Sequence, residues 1–412
     1  MTIIPTIIDQ HADEASFLWI LRNAAIQAPH YRLADIVELD NRVEAHIDGL
    51  RIAGDAGWEI CKKNLTFEES SEVFAAANLA LESKDPKRMV DVLDFVESTP
   101  DTLPGLISAF GWVEPQKLRG KVKDLLTAEA PVYKHIGIAS CAIHRVDPGR
   151  FLDTAIECED IQLKSRALRA VGELKREDLA GVTQEHLSNS SIDCKFWAAW
   201  SMALLGKSGS IEVLQDFVES RSKYQMQALQ LVLRCLGISG AQSWLKKLSK
   251  DSENIRNLII GTGVVGNTSY IPWIIKQMND PEQSRVAGEA FAIITGVDIA
   301  YDDLEGVWPE GFSAGPTENP EDENVSLDAD EDLPMPNQGL IEQWWENHRH
   351  EFDSNQRYLC GNPVSIRNCR QVLKNGYQRQ RIAAALELAL LGSEEILFET
   401  RAPSFRQTAM LD

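Results

Sequence analysis

The sequence predicts an all-α fold in which pairs of helices stack into an α-solenoid. Three observations support this prediction. An apolar helical run that ends at a glycine recurs five times within residues 164–296. A shorter amphipathic run and then polar residues follow each of these runs. The closing glycines are 34, 31, 29 and 30 residues apart, a spacing typical of stacked helix pairs. The alternative, an ordinary helical bundle, requires no constant period.

Each closing glycine is expected to end a helix in the left-handed conformation, which glycine adopts at the lowest cost. Polar residues before the next long run, such as Asp193, Asp251 and Asp280, are expected to cap its first turn. Because one helix pair cannot bury its own apolar face, its stability must come from stacking on its neighbours. The closing glycines are Gly172, Gly206, Gly237, Gly266 and Gly296.

Four segments follow from this pattern. Residues 1–64 are predicted to form an N-terminal helical cap, and residues 65–297 are predicted to form the repeat array. Residues 298–339, rich in Pro, Gly, Asp and Glu, predict an acidic irregular insertion, since they hold too little apolar surface to offset the entropy of ordering. Residues 340–412 predict a C-terminal helical unit that closes the array. The aromatic residues beside the insertion are expected to pin its ends to the body; they include Tyr301, Trp308 and Phe312.

The composition excludes several classes of protein. Hydrophobic residues make up 44% of the chain, which is ample for a core, yet no long uncharged apolar stretch predicts a membrane span. The N-terminus lacks the basic and apolar regions of a signal peptide. Seven scattered cysteines without a Cys-x-x-Cys pair predict buried thiols in a reducing compartment. We therefore expect a cytoplasmic protein.

The net charge of −21 is concentrated in one part of the chain. Residues 286–348 contain sixteen acidic residues and no Lys or Arg, whereas the rest of the chain has 46 acidic against 41 basic residues. This balance disfavours direct binding to nucleic acid. It favours a basic protein partner and an association that is sensitive to salt.

Motifs that could carry chemistry are weak. Residues 348–351, His-Arg-His-Glu, hold metal-ligand types, but on a helix the two histidines point to different faces, which favours a solvated helix. Residues 261–266 match Gly-x-Gly-x-x-Gly but follow a helical run, not a strand. The acidic block lacks the ligand spacing of a calcium-binding EF-hand. The sequence therefore predicts no catalytic, cofactor-binding or metal-binding residue.

The acidic insertion and a tryptophan pair are the candidate partner-binding residues. Trp344 and Trp345 cannot both face inward on one helix, so one of them is a candidate for exposed contact, whereas the tryptophans of the repeat helices are expected to fill the core. The candidates are Glu321, Asp322, Glu323, Asp328, Asp330, Glu331, Asp332, Trp344 and Trp345.

Three blocks of the sequence carry a resemblance: residues 29–54, residues 344–345 with 357–361, and residues 376–392 with 401–403. Together they resemble a proteobacterial family of largely uncharacterised proteins with HEAT-like repeats, often encoded beside type VI secretion genes. The resemblance implies a HEAT-like α-solenoid and a role around a secreted toxin. It carries over no catalytic residue, and it leaves the partner open.

We therefore expect a non-catalytic scaffold that binds another protein, namely an immunity protein that neutralises a type VI effector with a basic surface. The alternative is an adaptor or chaperone that loads an effector for secretion. An enzyme with an unrecognised site is the third hypothesis. The sequence does not determine the oligomeric state.

Overall fold

The structure is a computed structural model and describes residues 4–316, 321, 328–393 and 395–411. Within these residues the chain forms 22 α-helices, short 3-10 helices and one two-stranded hairpin, so the fold is all-α as predicted. No helix in this described part is both long enough and apolar enough to cross a membrane.

The chain divides into two compact units. Unit 1 comprises Met1–Gln27, Tyr31–Leu205 and Ile396–Asp412, and unit 2 comprises Ala28–His30 and Gly206–Glu395. The helices of unit 1 are α1 (Pro5–Ala25), α2 (Leu33–Ala53), α3 (Asp55–Asn64), α4 (Ser70–Glu82), α5 (Pro86–Ser98), α6 (Leu103–Trp112), α7 (Lys121–Thr127), α8 (Pro131–Ile143), α9 (Arg150–Glu157), α10 (Ile161–Glu173), α11 (Ala180–Glu185), α12 (Ile192–Leu204) and α22 (Ser404–Leu411). The elements of unit 2 are α13 (Ser210–Glu219), α14 (Gln225–Cys235), α15 (Gly237–Leu248), α16 (Ile255–Val265), α17 (Ile271–Gln277), α18 (Pro281–Thr295), α19 (Gln338–His348), β1 (Tyr358–Leu359), β2 (Asn362–Pro363), α20 (Ile366–Asn375) and α21 (Gln378–Leu391). The four segments predicted from the sequence stay a prediction.

In unit 1 the even-numbered helices from α4 to α12 form a row. Helix α4 packs on α6, α6 on α8, α8 on α10 and α10 on α12. The intervening helices α7, α9 and α11 each pack on the long helix that follows them. Every residue of α4 from Val73 to Leu81 is buried, because this helix also contacts α1, α3 and α5. The core of unit 1 thus runs along the row of long helices.

In unit 2 the same alternation continues from α13 to α18. Helix α14 packs on α16 and α16 on α18, while α13, α15 and α17 pack on the next long helix. The hairpin of β1 and β2 lies at the ends of these helices. The backbone N–H of Tyr358 donates to the Gly266 carbonyl at 2.7 Å, and that of Cys360 donates to the Ile293 carbonyl at 2.7 Å. The hairpin therefore satisfies carbonyls that a helix end leaves without partners.

The prediction that every closing glycine caps a helix holds at four positions and is wrong at Gly172. The other four have φ angles between 64° and 77°, in the left-handed region. Gly172 lies inside α10, against α12: a Cβ atom there would be 2.7 Å from Ser201 Oγ and 2.8 Å from Ser201 Cα. Lys175, with φ of 52°, takes the left-handed conformation instead. Close helix packing, not capping, requires glycine at position 172.

The predicted capping residues differ in what they do. Asp280 caps α18, accepting from the Glu282 N–H at 3.1 Å, and Asp251 accepts from the Glu253 N–H at 3.1 Å in the turn before α16. The prediction is wrong for Asp193, which lies in the first turn of α12. Ser191 is the cap there, because the helix begins at Ile192.

The cysteines and the repeat tryptophans contribute to the cores. All seven cysteines are free, and four of them are buried: Cys61, Cys141, Cys194 and Cys369. Burial raises the pKa of the Cys61 thiol to about 12, so this thiol is unreactive at neutral pH. Trp200 and Trp244 are buried as predicted, whereas Trp197 and Trp273 are half-buried.

Candidate partner-binding surface

The described parts of the insertion are anchored by the main chain and by aliphatic side chains. The Gly306 N–H donates to the Met335 carbonyl at 2.7 Å, and the Asn337 N–H donates to the Leu304 carbonyl at 2.8 Å. Leu304, Leu333 and Met335 are buried. The two ends of the insertion therefore hold each other. Residues 298–316 and 328–337 form no helix.

Of the three aromatic residues predicted to pin the insertion, Trp308 contacts the helical body, because the Arg285 guanidinium carbon of α18 lies 5.1 Å from its ring centroid. Tyr301 is 84% exposed, and Trp308 is 47% exposed. Phe312 is half-buried and packs on Trp308, with ring centroids 5.6 Å apart. Tyr301 therefore lies at the surface, whereas Trp308 and Phe312 are each partly covered.

Two of the predicted partner-binding carboxylates form ion pairs with arginines of unit 2. Asp328 pairs with Arg285 of α18 at 2.6 and 3.0 Å. Asp330, which is 3% exposed, makes a bidentate pair with Arg256 of α16 at 2.6 and 2.8 Å. Partial burial raises the pKa of Asp328, but the hydrogen bonds and charge of Arg285 outweigh this effect and lower it overall. These two carboxylates therefore do not lie in a solvated loop, since they hold the end of the insertion on the helices.

The other predicted acidic residues have different surroundings. Glu321 and Glu331 are exposed. The Asp332 carboxylate is 46% exposed and lies 3.4 Å from the His30 ring nitrogen Nδ1. Asp322 and Glu323 lie outside the described residues.

The tryptophan pair lies mainly inward. Trp345 is buried and packs on Phe352, with ring centroids 5.5 Å apart. Trp344 is half-buried, with its ring edge-on to Phe291 and stacked on His348 at 4.2 Å. The His348 ring is thus part of an aromatic stack, and its Nδ1 lies 2.7 Å from the Trp344 carbonyl. Of the pair, only Trp344 leaves part of its ring accessible.

A buried ionic group in unit 2 was not predicted. Glu387 of α21 pairs with Arg357 and, at 3.1 Å, with Arg234 of α14. Arg357 also donates to the Val265 carbonyl at 3.0 Å. Burial lowers the pKa of Arg234, and the Glu387 charge opposes that effect. The one sequence signal is an arginine within the apolar run of α14, which a buried carboxylate must then balance.

Unit 1 has a corresponding group that holds the C-terminal segment, residues 396–411. Arg22 pairs with Asp40 at 2.5 Å and donates to the Ala402 carbonyl at 3.0 Å. The second Asp40 oxygen accepts from the Ser404 N–H at 2.6 Å. Arg145 donates to the Leu397 carbonyl at 2.6 Å. Body side chains thus bind main-chain groups of the segment, and local sequence carries no signal for such contacts.

The buried carboxylate of Glu173 in α10 is kept ionised by two arginines. Burial raises the pKa of Glu173, but Arg166 and Arg169 outweigh it and hold that pKa at about 2. No group of three or more His, Cys, Asp or Glu side chains in the described part of the chain is arranged to hold a metal ion. The first five residues of the Gly-x-Gly-x-x-Gly match lie within α16, where a Cβ on Gly263 would be 3.1 Å from Ala290 Cα. Those glycines serve helix contact.

Residues 301–312, here called the acidic-aromatic arm, form an exposed surface that the sequence prediction assigned to anchoring. Tyr301, Val307 and Trp308 expose 84%, 92% and 47% of their surface. Exposed carboxylates lie among them: Asp302, Asp303, Glu305 and Glu310. The sequence has no Lys or Arg between residues 286 and 348 to neutralise these acids locally. The signal for this surface was the alternation of aromatic and acidic residues in an irregular stretch.

Comparison with models of protein families, with curated proteins and with solved structures finds no match for this chain.

Proposed function

We propose that this chain is a non-catalytic protein-binding scaffold, built as a HEAT-like α-solenoid, and that it acts as a cytosolic immunity protein against a type VI secretion toxin. The observation that most directly supports this proposal is the acidic-aromatic arm, an exposed surface of acids and large apolar side chains on a helical body. The resemblance of residues 29–54 and 376–392 to proteins encoded beside type VI secretion genes supports the biological setting.

The solenoid interpretation rests on the alternation of helices. The even-numbered helices contact one another in sequence order from α4 to α12 in unit 1 and from α14 to α18 in unit 2. Each odd-numbered helix from α7 to α17 packs on the even-numbered helix that follows it. Repeats that contact only their neighbours have this pattern. The regular spacing of the closing glycines supports the same interpretation.

A basic partner follows from the distribution of charge. Asp328 and Asp330 are neutralised by their arginines, whereas the acids of the arm and Glu331 are exposed. An exposed acidic surface attracts a basic protein and repels nucleic acid. A toxin that acts on nucleic acid has a basic cleft that such an acidic surface could cover, and covering the cleft would neutralise the toxin.

A toxicity rescue assay tests the proposal. The effector encoded beside this gene is expressed in a sensitive strain with or without the chain. An immunity protein restores growth and binds the purified effector. Failure to rescue combined with loss of effector secretion on gene deletion would favour the adaptor, which is the alternative function.

The contribution of the insertion is measured by removing residues 317–327. A Cβ on Gly315 would lie 3.2 Å from the Asp328 backbone nitrogen, so a linker of two glycines can close the gap. This deletion removes Glu318, Glu321, Asp322 and Glu323 but keeps both arginine pairs. We expect weaker effector binding with an unchanged melting temperature. Unchanged affinity in calorimetry would exclude these acids from the interface.

A further inference from the structure

We infer that the acidic-aromatic arm is the docking epitope, and that Trp308 enters an apolar pocket surrounded by Lys or Arg on the partner protein. This inference rests on the proposed function and specifies the surface and the partner chemistry. It replaces the tryptophan pair Trp344 and Trp345 as the aromatic anchor, because Trp345 is buried and Trp344 is half-buried with its ring stacked on His348.

The Trp308 side chain is held in place before any partner binds. Its indole Nε1–H donates to the Phe312 carbonyl at 2.9 Å. The Arg285 guanidinium carbon lies 5.1 Å from the ring centroid, within range of a cation–π interaction. Arg285 is itself fixed by Asp328 and has a side chain only 4% exposed. A ring that is already ordered loses little conformational entropy on binding, so its burial favours affinity.

The backbone of the arm is also fixed. An isolated bridge joins Glu305 to Pro336, and the Gly306 N–H donates to the Met335 carbonyl at 2.7 Å. A Cβ on Gly306 would lie 2.9 Å from the Pro336 carbonyl oxygen, so the two strands of backbone are in close contact. The neighbouring Val307 and Trp308 are therefore presented from a constrained main chain.

The exposure of the arm costs free energy that a partner would recover. Val307 is 92% exposed and Tyr301 is 84% exposed, although both carry large apolar groups. Val307 and Trp308 are consecutive in the chain, and clustered exposed apolar groups mark interaction sites. Tryptophan and tyrosine are the residues most often found to dominate binding energy in protein interfaces.

The carboxylates of the arm select the class of partner. Asp303, Glu305 and Glu310 are exposed beside the apolar side chains. They would repel the phosphates of nucleic acid and the identical arm of a second copy of this chain. A protein surface with Lys or Arg around an apolar depression is complementary to the arm in both charge and shape.

The test measures binding of the purified, catalytically inactivated effector from the rescue assay to the full-length chain. Trp308→Ala is expected to weaken binding about 30-fold or more, as for an interface hot spot. The matched control is Phe17→Ala, since Phe17 is 59% exposed on α1 in unit 1. It should leave affinity unchanged. Hydrogen exchange over α16 and α18 checks that each variant keeps its fold.

A set of charge variants tests whether Lys or Arg side chains surround the binding pocket of the partner. The triple variant Asp303→Asn, Glu305→Gln, Glu310→Gln should slow association about 10-fold and flatten its salt dependence. The control triple variant changes exposed acids of unit 1: Asp13→Asn, Glu38→Gln, Glu157→Gln. It should leave the association rate within about twofold of the original.

The outcomes separate the inference from the proposed function. If the unaltered chain binds the effector and Trp308→Ala binds equally well, the arm is not the epitope while the proposed function stands. If the unaltered chain does not bind the effector, both are overturned. Loss of affinity in the arm variants but not in the controls supports the inference.

Discussion

Replacing Gly172 with alanine tests whether helix packing or helix propensity dominates inside α10. Helix propensity alone predicts that the free energy of unfolding rises by about 1 kcal/mol, because alanine is the better helix former. The structure predicts the opposite sign. A Cβ at this position would lie 2.7 Å from Ser201 Oγ and 2.8 Å from Ser201 Cα, and the second atom belongs to the backbone of α12.

The magnitude follows from what must move. Ordinary carbon contacts lie near 3.5–4.0 Å, so α12 would have to shift by roughly 1 Å, and overpacking of this kind costs about 1–3 kcal/mol. The shift also strains two buried hydrogen bonds of Ser201 Oγ, from the Gly172 N–H at 3.0 Å and to the Leu168 carbonyl at 2.6 Å. Leaving such groups unpaired costs about 1–3 kcal/mol. The net destabilisation is therefore about 1–5 kcal/mol.

Urea unfolding followed by circular dichroism measures this change, and hydrogen exchange over α10 and α12 assigns it to unit 1. The matched control is Gly181→Ala in α11, where a Cβ would meet no atom within 4 Å. That substitution should be neutral or stabilise by up to about 1 kcal/mol. If Gly172→Ala is as stable as the unaltered chain, the close approach of the two helices is wrong.

Three further predictions concern pH, the insertion and the C-terminal segment. Burial, reinforced by nearby arginines, lowers the pKa of His135 and of His144 to about 4. The unfolded state therefore binds these protons at a higher pH than the folded state does, and the free energy of unfolding of unit 1 should fall as the pH falls from about 6.5 to 4. With glutamine at both positions this fall should be less steep, which urea titrations at several pH values measure. Asp330→Asn should cost about 1–3 kcal/mol and raise hydrogen exchange in the adjoining insertion, whereas Asp332→Asn, at an exposed carboxylate, should not. Removing residues 396–412 should lower the melting temperature of unit 1 and raise exchange in α2, with α14 and α16 unchanged; equal protection of α2 would contradict the contacts described.

Most helices were predictable because local rules determine them. The apolar period places the long helices, and glycines with positive φ end four of them as expected. Gly172 shows the limit of this reasoning. A glycine that permits a turn and a glycine that permits helix contact look alike in sequence, and only the neighbour, Ser201 of α12, distinguishes them.

The candidate surface was predictable in charge but not in detail. Composition identified the acidic insertion, yet it could not separate Asp330, which is buried against Arg256, from Glu331, which is exposed. That distinction depends on a pair 74 positions apart in sequence. The exposure of Tyr301 was missed for a related reason, because an aromatic residue beside a loop fits both an anchor and a contact surface.

The C-terminal segment of unit 1 is synthesised only after the main part of unit 2. Residues 1–205 leave the ribosome long before residues 396–411, because all of Gly206–Glu395 is translated in between. At roughly 5–20 residues per second, these 190 or so residues delay the segment by about 10–40 s. During that interval Asp40 lacks the Ser404 N–H and Arg22 lacks its carbonyl acceptors. The buried Arg22–Asp40 pair therefore gains its main-chain partners only after unit 2 has been synthesised.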